Sequence, residues 1–115
     1  MALNDAALNI GADAMGAAMA FAQIHTAQPN VSGSNEATSS RQAITWNAAT
    51  GGDLISTTSI PFTGGAGSGP ATHVGFWSAG SGGTFYGWLA LTGDQTFNAA
   101  GEYTITGITF TGSAT

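Results

Sequence analysis

The sequence has 115 residues, 43% of them hydrophobic, which is enough for one folded domain with its own core and too short for two. Only 6% of the residues are charged, and six carboxylates face one cation, Arg41, for a net charge of −5. A single arginine cannot displace counterions from a phosphate backbone or hold an anionic bilayer, so nucleic acid and membrane surfaces are excluded as partners. The lack of cysteine removes disulfides, thiol catalysis and cysteine-based metal centres together.

The N-terminal segment 1–17 reads as a short helix. Asn4 or Asp5 can cap it, because either side chain can accept from the free amides of the first turn. Ala7, Ile10, Ala14 and Ala17 follow the alternating spacing of one apolar stripe, expected either to pack on its own domain or to dock on a neighbour. Asp5, Asn9 and Asp13 recur every fourth residue on another face, as a solvated flank would, and Gly16 offers a stop. The apolar run from Ala14 to Ala22 imitates a signal-peptide core, but no lysine or arginine precedes it, so no signal peptide is expected.

From residue 20 to residue 111 the pattern is all-β, an antiparallel sandwich of Ig-like or jelly-roll-like build. Phe21–His25 makes the first strand, and the Pro/Asn/Gly/Ser-rich stretch 26–40 makes a long surface loop. Gln42–Trp46, Leu54–Ser56, Ile60–Phe62, Thr72–Trp77 and Thr84–Leu91 follow as short strands, with Pro61 restricting its strand to an edge or bulge. Along Phe85–Leu91 the alternation puts Tyr86, Trp88 and Ala90 on one face. Between Tyr103 and Thr111 the apolar phase shifts near Gly107, which predicts a bend there.

The search for chemistry returns mostly absences. His25 and His73 lie in separate strands without metal-ligand spacing, and no glycine cluster forms a phosphate or dinucleotide loop, so no cofactor and no metal are expected. Ser81 in Ala79–Gly83 departs from the nucleophile elbow, and the carboxylates Asp53, Asp94 and Glu102 show no special spacing. No catalytic residue is therefore assigned. Arg41 is expected to anchor a loop through Glu36 or to cross a subunit interface. Trp77, Tyr86 and Trp88 fall along one hairpin and form a possible aromatic surface of the kind that meets glycans, half of which would otherwise be core.

Four stretches carry a family resemblance. They are Ala2–Ala7, Ile24–Pro29, Ser34–Glu36 continued through Arg41–Trp46, and His73–Trp77 with Gly82–Gly87. In this order they resemble small virion proteins from phages of actinobacteria, of the capsid-decoration and minor-tail or tail-fibre types. The resemblance implies a non-enzymatic virion component whose partners are other virion proteins and copies of itself. A fibre shaft calls for length, heptads or a repeated β motif, which this chain lacks. That contrast favours a capsid-surface decoration protein, with a minor tail or tail-fibre protein as the alternative and a carbohydrate-binding module further off.

Overall fold

A computed structural model describes residues 3–57 and 59–111; Met1 and Ala2, at the start of the expected helix and of the first resembling stretch, lie outside them. Helix α1 runs Asp5–Ala18 and is capped by Asn4, whose side-chain oxygen accepts from the Ala7 amide at 3.0 Å. Asp5 in the first turn suits the positive end of the helix dipole.

Two expectations for α1 are corrected. Gly16 does not stop the helix but is buried in its last turn, because a Cβ there would sit 3.2 Å from both Leu54 and Trp46. The inward face is Ala12 and Gly16, whereas Ile10 is 73% exposed and Ala14 and Ala17 face solvent. The cause lies on the third face. Asn9 accepts from the Gly52 amide at 2.8 Å and Asp13 from the Ala49 amide at 2.7 Å, so the expected solvated flank docks the helix on the 48–53 turn.

Among the described residues eight strands follow: β1 Phe21–His25, β2 Gln42–Ala43, β3 Leu54–Ile55, β4 Ile60–Phe62, β5 His73–Trp77, β6 Phe85–Ala90, β7 Tyr103–Ile105 and β8 Thr109–Phe110. All pairings are antiparallel. One layer is a four-stranded sheet in the order β2-β1-β5-β6; the other consists of the pairs β3-β8 and β4-β7. The second layer is thus two short pieces, because the chain leaves β7 at the predicted bend and re-pairs at β8. Ser56 secures that jump, its hydroxyl accepting from the Ile108 amide at 2.9 Å. Pro61 sits where its missing N–H is tolerated, in a two-stranded sheet that has only edges.

Between the layers, Ala22, Ile24, Val74 and Phe76 meet Leu54, Ile60, Phe62, Ile105 and Ile108 in one buried cluster. Burying each of the larger side chains contributes about 1.5–3 kcal/mol. Phe97 joins this core from the 91–102 segment, its ring lying over Gly65 where any Cβ would collide. The strand expected over Gln42–Trp46 ends at Ala43. Trp46 turns instead beneath α1, where its indole nitrogen donates to the Met19 carbonyl at 3.1 Å.

Candidate functional site

The outer face of the four-stranded sheet is where the polar and aromatic residues gather. Strand β1 is central, and four of its five residues are buried, because a second cover lies over it. That cover is the 26–40 segment. Thr26 donates its amide to the Asn35 carbonyl and Ala37 to the Ile24 carbonyl, both at 2.9 Å, so the loop returns alongside β1. Composition marked this stretch as a surface loop, yet Pro29, Gly33 and Ser39 are buried in it. Gly33, at φ +79°, rests on the Trp77 and Phe85 rings at a distance no Cβ would allow.

Beneath the loop the side chains form a small second core. His25 is fully buried, stacked on Trp77 with 6.2 Å between ring centroids and 4° between planes, and tilted against Phe85 at 5.7 Å. Its Nδ1 bonds the Ser34 carbonyl at 2.8 Å, while Nε2 and the Trp77 indole nitrogen have no hydrogen-bond partner. Burial holds the His25 pKa below 6.5, opposed by the Ser34 carbonyl and the Glu36 charge. Gln23, also buried, ties the far end of the loop by donating to the Ser39 carbonyl and accepting from the Ser39 hydroxyl.

Arg41 closes this region. Its Nε donates to Glu36 at 2.7 Å, and Nη1 donates to the carbonyls of Ala79 at 2.9 Å and Gly82 at 2.7 Å. The guanidinium also lies over the Trp77 ring, and only 8% of the side chain is exposed. The cation therefore joins the loop, the start of β2 and the β5–β6 turn within one chain.

Of the three aromatics expected at the surface, Trp77 belongs to this buried cluster and is a correction. The alternation along β6 is broken at a register shift beside Phe76 and Trp77, which brings Phe85 opposite Trp77. Tyr86 and Trp88 remain outside, 50% and 38% exposed. They border a cleft of about 500 Å³ whose other wall is the Gln28–Val31 turn. A larger groove of about 720 Å³ lies on the opposite side, between the end of β6 and β7–β8, and includes Asp94 and Glu102.

The structure gives these carboxylates local tasks. Asp94 accepts from the Thr96 amide and hydroxyl, and Glu102 accepts from the Asn98 amide group. His25 and His73 are cross-strand partners, a proximity the sequence could not reveal. Among the described residues no group of three His, Cys, Asp or Glu side chains could hold a metal ion. His73 bonds Thr72 through Nδ1 at 2.7 Å, and Ser81 lies in the exposed β5–β6 turn. No described helix is long and apolar enough to cross a membrane.

Comparison with known proteins identifies what kind of chain this is. Residues 2–112 match the family described as podophage GP4 fiber I protein gp80. The chain belongs to that fibre family. It is a structural protein of the phage virion, and the match supports the tail-fibre alternative better than capsid decoration. The fibre family is structural, in keeping with a non-enzymatic role. The match bears on the phage and virion parts of the resemblance, not on an actinobacterial host. No curated protein and no solved structure matches the chain.

Proposed function

We propose that this fibre-family chain is a minor tail or tail-fibre subunit that assembles with copies of itself through the outward face of α1. The observation that carries this reading is the composition of that face. Ile10, Ala14 and Ala17 face solvent there, beside a half-buried Ala7, while the opposite face and the polar flank are already docked. An apolar helix face left in solvent beside docked faces is one that assembly would bury.

The spacing of Ala7, Ile10, Ala14 and Ala17 is that of a helix–helix seam, and its alanines permit close approach of an equivalent helix. No charge on this face selects a different partner. Fourteen residues provide about 21 Å of seam on a helix about 10 Å across, roughly 200 Å² of face, far less than the ~800 Å² per partner of a stable isolated interface. The contact therefore forms when many copies are held together, not between two free chains. Fibre length would come from stacked units, since a chain of 48 × 25 × 22 Å is a segment and not a shaft.

The test is incorporation of an Ile10→Glu chain into particles, read by quantitative mass spectrometry and immunogold labelling. Loss from the particle with an unchanged melting temperature of the free chain supports the reading, and label on the tail rather than on the capsid shell supports its location. Normal incorporation of the variant overturns the helix-mediated assembly. Label over the shell restores capsid decoration.

A further inference from the structure

We propose that the cleft between the Gln28–Val31 turn and β6 is a binding subsite for one unit of a neutral oligosaccharide. Its size, about 500 Å³, falls in the range of small-ligand sites. One wall carries the exposed rings of Tyr86 and Trp88, two residues apart on the same strand. A pyranose has an apolar C–H face and a rim of hydroxyls. Its C–H face is attracted to the negative face of an aromatic ring, and a tyrosine or tryptophan leaves a polar tip for the rim.

The facing wall supplies what the rim needs. Gln28 and Asn30 present carboxamides, which both donate and accept and so match hydroxyls that do the same. The Asn30 oxygen is committed to the turn, accepting from the Ser32 amide at 2.9 Å and the Ser34 amide at 3.3 Å. That leaves its amide nitrogen and the Gln28 carboxamide as the polar side-chain groups of this wall. No Asp, Glu, Lys, Arg or His lines the cleft, so an anionic or cationic ligand would find no counter-charge. Charge complementarity selects a neutral ligand.

Both walls are fixed before any ligand arrives. The turn is closed by the Gly33 amide donating to the Asn30 carbonyl at 3.0 Å, and Asn35 donates to the Gln28 carbonyl at 3.2 Å. Trp88 is met edge-on by His73, at 5.1 Å and 83°, and His73 is itself held by Thr72. A preformed site avoids the ordering penalty of binding. An extended peptide adding to the free edge of β6 is the competing occupant. Gly87, at φ +152°, takes the edge out of regular strand geometry at the centre of the cleft, which works against such pairing.

The test is titration of the free chain with cellohexaose, maltohexaose, chitohexaose, a mannohexaose and a rhamnose-containing oligosaccharide. Readouts are tryptophan emission and the side-chain amide NMR signals of Gln28 and Asn30. Trp88 is the exposed indole, with Trp77 buried and Trp46 half-buried, so quenching reports the cleft. The expected result is saturable binding to at least one sugar, weakened about tenfold or more by Tyr86→Ala and by Trp88→Ala. Both residues are exposed, so a folded variant is expected, and its melting temperature checks that. Ile10→Glu should leave binding unchanged, which separates this site from the assembly face. No saturable change with any of the sugars up to about 10 mM overturns the proposal. So does binding indifferent to both substitutions, or shifts confined to backbone amides of β6.

Discussion

The Arg41 guanidinium carbon lies 3.7 Å from the centre of the Trp77 indole, and the same side chain reaches Glu36 and the carbonyls of Ala79 and Gly82. One cation thereby holds three separate segments over an aromatic floor. Because the chain has no lysine and no second arginine, nothing else can take its place.

Arg41→Ala leaves Glu36 unpaired and the carbonyls of the β5–β6 turn without this donor. Destabilisation of about 1–3 kcal/mol is expected, from the lost bonds to the Ala79 and Gly82 carbonyls and the lost stacking on Trp77, while the exposed Glu36 carboxylate is rehydrated. Arg41→Lys recovers little of it, because an ammonium lacks the planar fork that serves several acceptors while stacking. Urea denaturation of the three proteins measures both differences.

His25 predicts an acid-sensitive fold. Burial lowers its native pKa below the 6.5 of the free side chain, with the nearby His73 and Arg41 acting in the same direction and Ser34 and Glu36 against it. The unfolded chain therefore takes up this proton first as pH falls. Stability is at its full value above about pH 6.5 and declines below it until the native histidine itself protonates. The denaturation midpoint should drop between about pH 7.5 and 5.5, and His25→Phe should reduce that slope.

Gly33→Ala introduces a Cβ where the Trp77 ring already lies 2.5 Å away, at a backbone φ of +79°. Neither the ring nor the turn can yield without opening the loop. A loss of about 2 kcal/mol or more is expected, with Trp77 becoming accessible to acrylamide quenching. Gly51→Ala, also at positive φ but with open space around it, should cost less and leave Trp77 protected.

The docking of α1 depends on two short side chains. Asn9→Ala and Asp13→Ala each leave a turn amide without its acceptor and should cost about 0.5–1.5 kcal/mol. The double variant should redshift Trp46 emission, because that indole packs under the last turn of the helix these bonds seat. An unchanged spectrum would mean that the Gly16–Leu54 contact alone seats the helix.

Much of the fold was legible in order along the chain. Turn residues and alternation marked β1, β3, β4, β5 and β6 within a residue or two, the Asn4 cap was readable from its chemistry, and the phase shift near Gly107 marked the break between β7 and β8. Missed elements have a common cause. Phe97 sits in a segment without periodicity, and only its place over Gly65 makes it core. The 26–40 loop looked solvated because its residues are small and polar, but those are the residues that can lie flat on an aromatic cluster.

Local rules, then, fixed this protein's elements: short strands, a capped helix at the N-terminal end, and a composition with little charge. Which face of each element is inside was decided only by tertiary structure. On α1 the apolar stripe from Ala7 to Ala17 points outward, because two hydrogen bonds and a glycine contact outweigh the burial of three alanines and an isoleucine. On the hairpin the covering loop buries Trp77, a register shift brings Phe85 opposite it, and Tyr86 and Trp88 are left in solvent. The low charge of the sequence gains its meaning there too. Its one arginine is enclosed within the fold, and the two faces proposed for partners are apolar on α1 and aromatic and amide beside β6.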